Sequence, residues 1–294
     1  MPLAPSAWIV GLASLSLVTA CWGRGTKYGA DTAPAGGDGG VVTECGDESQ
    51  YDVGWRIEGT AYFQDPDASA LDSGGGSALA NKCITAIDPT PALAGSPPKI
   101  LASSAICDDG SFVIAGIEEN PAIGTFVVVD DCEGDPDDLM TSATGISGAF
   151  IEDLGDGDVL ADVGARVVTN EYRTTILDQL KSAGYDGVED ETFQFLGGRL
   201  ISDAGAPLDQ HTINCGACSY PPSYADADPS DGLYTTGGAA NTATSADADG
   251  FFMVPMAAIG TYTCTDASGT DLTTSTYGSL PGYGVFIQVA CVAN

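Results

Sequence analysis

The fold is decided by a short pattern, residues 249–254 (Asp-Gly-Phe-Phe-Met-Val) followed by residues 258–262 (Ala-Ile-Gly-Thr-Tyr). A diverged copy stands earlier, as residues 109–114 (Asp-Gly-Ser-Phe-Val-Ile) and 122–126 (Ala-Ile-Gly-Thr-Phe). An Asp-Gly before an apolar, β-branched or aromatic run is a hairpin-turn signal, because glycine accepts a positive φ. The glycine that opens the next run is typical of a turn or a close backbone approach. The pattern therefore predicts short antiparallel strands, and it predicts them twice.

The repeat extends upstream of this pattern and divides the chain. Gly59 stands 51 residues before Gly110, and Gly198 stands 52 residues before Gly250. Similar signals in the same order over this length indicate two structural units. The predicted organisation is a signal peptide (1–20), a flexible acidic Gly/Pro-rich tether (21–50), a first β-sandwich (51–135), a connecting segment with a helix (136–194) and a second β-sandwich (195–294).

Motifs of the second copy carry a resemblance to a known family: Asp203-Ala-Gly205-Ala-Pro207-Leu208, Asp247-Ala-Asp249-Gly250-Phe251 and Ile259-Gly260-Thr261-Tyr262. Together they resemble the carboxypeptidase regulatory-like, or transthyretin-like, β-sandwich. The resemblance covers residues 195–265 and, less closely, 55–131, while Gln210-His211 replaces the family's usual Gly-Ala. It implies a mainly β chain of two antiparallel transthyretin-like or immunoglobulin-like sandwiches. It also implies a structural or accessory role without catalytic residues.

One α-helix is predicted between the two copies, over residues 169–183. Thr169 or Asn170 can cap its start, and Gly184 can end it. Apolar residues recur along this segment at helical spacing, as Tyr172, Ile176, Leu177 and Leu180. The pattern favours a packing helix between the sandwiches over a helix that binds a partner.

The N-terminal 21 residues indicate export. An uncharged apolar run over residues 7–20 is too short for a membrane-spanning helix and fits the hydrophobic region of a signal peptide. Residues 17–21, Leu-Val-Thr-Ala-Cys, resemble the lipobox of a bacterial lipoprotein, in which Cys21 is acylated and becomes the mature N-terminus. Neither Lys nor Arg precedes Cys21, which departs from the usual basic region. The alternative is an ordinary secretory signal that leaves Cys21 as a thiol.

The charge of the chain excludes one class of partner. The 41 acidic and 9 basic residues give a formal net charge of −32. Such a surface repels phosphate backbones and anionic lipid headgroups, so we expect no nucleic-acid binding and no membrane contact beyond the lipid anchor. We interpret the acidity as a feature that keeps the protein soluble or adapts it to a saline medium. The alternative interpretation is that the carboxylates form multiple Ca²⁺ sites.

The cysteines after Cys21 predict disulfides. They number eight, at positions 45, 83, 107, 132, 215, 218, 264 and 291, and an even number in an exported protein is typical of a disulfide framework. Proximity along the chain suggests the pairs Cys45–Cys132, Cys83–Cys107, Cys215–Cys218 and Cys264–Cys291. A protein with free thiols is the weaker alternative.

The motif Cys215-Gly-Ala-Cys218 is the sharpest candidate for chemistry. A thioredoxin-like enzyme places the first cysteine at a helix N-terminus, which lowers its pKa. Here an expected strand, 212–214, precedes the motif and no helical pattern follows it, so a loop-pinning disulfide is favoured over a thiol oxidoreductase. A zinc site would need two further ligands besides the single histidine, His211.

The acidic loop Asp226-Ala-Asp228-Pro-Ser-Asp231-Gly232 suggests calcium, but its spacing is not that of an EF-hand. Asp226, Asp228 and Asp231 therefore stay weak Ca²⁺ candidates, as do the carboxylates of residues 153–158, and a solvated turn is favoured at both places. Tyr220, Tyr224 and Tyr234 lie nearby and could stack on a sugar or cover a sheet edge. The insert 215–238 that holds this loop is also the expected partner-contacting surface.

These observations favour a non-enzymatic structural or interaction module of the cell envelope, lipid-anchored at the outer membrane or cell surface. Its expected partners are the membrane, through the lipid, and an envelope protein or glycan. No cofactor is expected, although Ca²⁺ stays open. The alternative is a calcium- or carbohydrate-binding adhesin-like protein, and a thiol oxidoreductase ranks third.

Overall fold

The computed structural model describes residues 45, 52–63, 75–93, 95–132, 138–182, 192–224 and 250–292. The strands are β1 (Trp55–Phe63), β2 (Cys83–Asp88), β3 (Lys99–Ala105), β4 (Ser111–Ile117), β5 (Gly124–Asp130), β6 (Leu139–Met140), β7 (Ser142–Ser147), β8 (Val159–Thr169), β9 (Phe195–Ile201), β10 (Thr212–Cys215), β11 (Ser223–Tyr224), β12 (Phe251–Pro255), β13 (Gly260–Thr265), β14 (Asp271–Tyr277) and β15 (Gly284–Ala290). The helices are α1 (Asn170–Ser182), two single turns (Gly75–Ala78 and Thr90–Leu93) and a 3-10 turn (Gly148–Phe150). The prediction of a mainly β chain is confirmed.

These strands form three sheets. Their orders are β4-β1-β8-β6, β10-β13-β14 and β11-β12-β9-β15-β7-β5-β2-β3. The first sheet packs on β2 and β5 around one core, and the three-stranded sheet packs on β9, β12 and β15 around a second core. The expected sandwich arrangement is therefore present.

The sequence repeat is also a repeat of topology. In the first copy β1 pairs antiparallel with β4 and parallel with β8, while β5 pairs antiparallel with β2 and β7. In the second copy β9 pairs antiparallel with β12 and parallel with β15, while β13 pairs antiparallel with β10 and β14. The two copies thus build the same sandwich.

The repeated glycines have a common structural reason. Gly59 lies opposite Phe112 on one side and Val163 on the other. A Cβ at Gly59 would lie 1.9 Å from the carbonyl oxygen of Val163, and a Cβ at Gly198 would lie 2.1 Å from that of Ile287. Both glycines therefore permit the close approach of the last strand of their own unit, β8 or β15.

The predicted boundaries of the first unit are too short. Residues 136–194 were expected to connect two sandwiches, but they include β7 and β8, which are the closing strands of the first sandwich. The strands that pair with β7 and β8, β5 and β1, stand earlier in the chain. The local sequence of residues 136–194 therefore does not show that this segment belongs to the first sandwich. The first sandwich runs to Thr169, and α1 begins at the next residue, Asn170.

The two units share a sheet. β15 of the second unit pairs in parallel with β7 of the first over Gly284–Phe286 and Ser142–Thr144, which joins their strands into the eight-stranded sheet. Alternation along β5 serves both cores, because Val127 and Val129 face the first core while Val128 faces the second.

The helix α1 agrees with its prediction. The Thr169 hydroxyl accepts a hydrogen bond from the Tyr172 N–H at 3.0 Å, which caps the first turn. The predicted stripe of Tyr172, Ile176, Leu177 and Leu180 is buried against Phe195, Met253 and Phe286 of the eight-stranded sheet. The helix therefore has a packing role. None of the helices in the described residues has the length and apolar character needed to span a bilayer.

The eight cysteines after Cys21 form four disulfides. Cys215–Cys218 and Cys264–Cys291 pair as predicted. The other two predicted pairs, Cys45–Cys132 and Cys83–Cys107, are wrong, because the bonds are Cys45–Cys107 and Cys83–Cys132. Cys83 begins a central strand, opposite Ala105 on one side and Asp130 on the other. Cys107 and Cys132 each lie two residues beyond those partners, so the strand pairing brings both of them near Cys83.

A buried ion pair lies beside the Cys83–Cys132 disulfide. The Asp131 side chain is fully buried, and its Oδ1 lies 2.5 Å from the Lys82 ammonium. Its Oδ2 accepts hydrogen bonds from the backbone N–H groups of Asp138 and Leu139 at 2.9 and 2.8 Å. This carboxylate therefore ties the end of β5 to the start of β6.

Candidate functional site

One end of the first sandwich, which we call the acidic end, holds a cavity and a concentration of exposed apolar side chains. It is formed by residues 52–55, 117–124 and 148–159. The cavity has a volume of about 460 Å³ and is lined by residues 52–55, 117–118, 120 and 154–156. Trp55 lines it while being 1% exposed, and the buried indole Nε1 of Trp55 finds no hydrogen-bond acceptor among the described residues.

Hydrogen bonds hold the segments of the acidic end together. The Gly54 N–H donates to Asp156 Oδ1 at 3.0 Å, and the Gly157 N–H donates to the Gly54 carbonyl at 2.8 Å. The Asn120 side chain donates to the Leu154 carbonyl at 2.8 Å. Three segments distant in sequence are thereby fixed relative to one another.

Four of the six large apolar side chains that are exposed in the described residues lie at this end. They are Val53 (45% exposed), Ile123 (52%), Phe150 (68%) and Val159 (37%). Ile123 and Phe150 flank a tight contact, since a Cβ at Gly148 would lie 2.3 Å from the Ala122 carbonyl oxygen. The sequence analysis missed this cluster, although carboxylates crowding around apolar residues in two turns were a visible signal.

The carboxylates of residues 153–158 were weak calcium candidates, and the structure gives two of them a local role. Asp156 accepts from Gly54, and Asp158 Oδ2 accepts from the Gly155 N–H at 2.9 Å. Within the described residues, no group of three or more His, Cys, Asp or Glu side chains is arranged to hold a metal ion. The other calcium candidates, Asp226, Asp228 and Asp231, lie outside the described residues, as do Tyr234 and Cys21.

The Cys215–Cys218 loop is anchored on the second core. Cys215 is the last residue of β10, and β11 follows the loop without an intervening helix. The Tyr262 hydroxyl lies 3.2 Å from Cys218 Sγ and donates to the Ala258 carbonyl at 2.8 Å, and burial raises the pKa of Tyr262 to about 12. The loop therefore lacks the helix N-terminus that activates a thioredoxin-like cysteine.

The remaining candidate side chains near this loop have structural partners. Nδ1 of His211 lies 2.6 Å from the Asp209 carbonyl oxygen, at an exposed turn. Tyr224 is buried, and its hydroxyl accepts from the Ile213 N–H at 3.0 Å. Tyr220 is half-buried and packs beside α1. Tyr224 thus covers the sheet instead of presenting a ring to a ligand.

Comparison with known proteins adds little to this description. No protein-family model matches the sequence, and no curated protein matches it. Among solved structures, the Bacillus anthracis TIE protein is 11% identical with a TM-score of 0.23, covering 82% of this chain and 34% of its own. The shaft pilin SpaA of Lactobacillus rhamnosus GG is 13% identical with a TM-score of 0.25, covering 82% and 99%. A streptococcal ancillary pilin is 8% identical with a TM-score of 0.22, covering 81% and 69%. At such scores neither fold nor function is transferred.

Proposed function

We propose that this chain is an exported, lipid-anchored lipoprotein of the cell envelope that serves as a non-enzymatic structural or interaction module. The observation that carries the proposal is the pairing of all eight cysteines after Cys21 with one another. Disulfides persist in oxidising compartments outside the cytosol, which supports export. The same pairing leaves Cys21, at the end of the lipobox-like residues 17–21, as the ninth cysteine and available for acylation.

The non-enzymatic part of the proposal rests on what the candidate residues do. The Cys215–Cys218 disulfide pins a loop, and Tyr224 covers a sheet. These roles are structural, and they agree with the resemblance to carboxypeptidase regulatory-like modules. Loops on a rigid sandwich are common binding surfaces, so an interaction role fits the architecture.

Acylation of Cys21 is tested by fractionating cells that express the wild type or Cys21→Ser. We expect the wild type in the membrane fraction, labelled by radioactive palmitate, because several acyl chains anchor a protein stably. The Cys21→Ser variant should be soluble and unlabelled. Cys215→Ser is a matched control that removes a cysteine but should keep label and location. A soluble, unlabelled wild type would refute the anchor.

The second candidate, a calcium- or carbohydrate-binding adhesin-like protein, rests on the acidic insert of the second unit. Titration calorimetry with Ca²⁺ separates it from the first. Micromolar binding that Asp228→Ala abolishes would favour this candidate, and absence of heat with the wild type would eliminate its calcium form.

A further inference from the structure

We infer that the acidic end is a docking surface for a basic protein segment that carries apolar side chains between its lysines or arginines. The inference rests on the proposed role as an interaction module and names its contact surface and the chemistry of its partner. Three observations support it: the exposed apolar cluster, the charge around it and the rigid cavity between its segments.

The apolar cluster is unusual for this surface. Phe150, at 68% exposed, and Ile123, at 52%, project from neighbouring turns, with Val53 and Val159 on adjoining segments. Single exposed apolar residues are normal, but several at one end of a soluble domain mark an interaction site. Leu93 and Ile259, the other two exposed large apolar residues that are described, lie outside this end.

The charge around the cluster selects the partner. Seven carboxylates belong to the segments of the acidic end, and they are Asp52, Glu118, Glu119, Glu152, Asp153, Asp156 and Asp158. Lys and Arg are missing from residues 117–124 and 148–159. Lys99 of β3 pairs with Glu119, and the other six carboxylates stand in segments that contain neither Lys nor Arg. A basic segment gains electrostatic attraction here, whereas an anionic lipid surface is repelled.

The cavity gives the segment a preformed place to bind. Its volume of about 460 Å³ is in the range of a site for a few side chains. The hydrogen bonds from Gly54 to Asp156 and from Asn120 to Leu154 fix its walls before binding, which reduces the ordering cost of association.

The test is titration of the purified chain with a synthetic peptide in which two leucines are flanked by pairs of lysines. We expect saturable binding that weakens as salt is raised. The same peptide with glutamates in place of the lysines should not bind, and one with serines in place of the leucines should bind at least several-fold more weakly. Phe150→Ser and Ile123→Ser should each weaken binding by roughly tenfold, as for an interface anchor.

Matched variants give the control. Leu93→Ser removes a side chain that is 53% exposed outside the acidic end, and Asp203→Asn removes an exposed carboxylate from a turn of the second unit. Both should leave binding unchanged, whereas Glu152→Gln combined with Asp153→Asn should weaken it. Circular dichroism should show that every variant keeps the wild-type fold.

The inference is overturned if the leucine–lysine peptide fails to bind, or if Leu93→Ser weakens binding as much as Phe150→Ser. The fractionation of Cys21→Ser tests the proposed function by a separate measurement. If the protein is found in the membrane fraction but does not bind the peptide, the docking surface is refuted and the proposed lipoprotein role is unaffected.

Discussion

Replacing Gly198 by alanine tests whether the repeated glycine is required for strand approach. The new Cβ would lie 2.1 Å from the Ile287 carbonyl oxygen, whereas an ordinary van der Waals contact of a Cβ atom is 3.4–4 Å. The missing distance must come from separating β9 and β15. Both strands are held on their far sides, β9 by β12 and β15 by β7, so the sheet cannot open locally without losing further hydrogen bonds.

Overpacking of this kind costs about 3 kcal/mol, the upper part of the usual range. We therefore expect the free energy of unfolding, measured by urea titration, to fall by that amount and the melting temperature to fall by roughly 6–12 °C for a chain of this size. Gly59→Ala should behave similarly in the first unit, because its Cβ would lie 1.9 Å from the Val163 carbonyl oxygen.

Gly260→Ala is the matched control, since it makes the same chemical change within a strand. Its Cβ would lie 3.6 Å from the Ala217 Cβ, an ordinary contact. An alanine in place of a strand glycine lowers the entropy of the unfolded chain, so we expect a change between zero and about 1 kcal/mol of stabilisation. If Gly198→Ala is no more destabilising than Gly260→Ala, the close-approach explanation of the repeat is wrong.

Further predictions concern buried charge, pH and cross-linking. Asp131→Ala should lower the free energy of unfolding by about 3 kcal/mol, because it removes the buried carboxylate that pairs with Lys82 and accepts two backbone hydrogen bonds, and a cost near zero would contradict this role. Burial raises the pKa of the Tyr224 hydroxyl from 10.0 to about 12, so the folded state holds this proton more tightly than the unfolded state does. The stability that results is complete below pH 10 and is lost as the pH rises towards 12. The melting temperature of Tyr224→Phe should therefore fall less steeply than that of the wild type over this interval, and parallel curves would refute it. Replacing Cys83 and Cys132 together by alanine opens a loop with a sequence separation of 49 and should cost about 4 kcal/mol by the chain-entropy model. Peptide mapping without reductant should first recover these two cysteines in one cross-linked peptide.

Much of each unit could be predicted from local sequence. Asp-Gly before an apolar run predicted the turns before β4 and β12, where Gly110 and Gly250 adopt φ of +84° and +71°. The spacing of Tyr172, Ile176 and Leu180 predicted the helix and its buried face, because a 3.6-residue period determines which side chains share a face. Such signals depend only on neighbours along the chain, so they can be recognised without the tertiary structure.

The acidic end illustrates a feature that local patterns do not predict. The sequence alone does not distinguish Val53, Ile123 and Phe150 from buried apolar residues. Their exposure results from the meeting of three distant segments at one end of a sandwich. Their carboxylate neighbours are visible in the sequence, but the cavity between them is not.

The sequence by itself determined the strand-forming stretches, the helix and the duplication, and the even number of cysteines after Cys21 predicted a disulfide framework. Tertiary structure alone decided that β7 and β8 close the first sandwich, that β15 pairs with β7, and that Cys83 bonds to Cys132. Cys83 begins a strand with a partner on each side, and Cys107 and Cys132 stand at equivalent positions beyond those partners. Local periodicity specifies which face of a strand is buried, but strand edges present the same backbone groups whatever the side chains. The choice of neighbour is therefore made only when the whole set of strands packs.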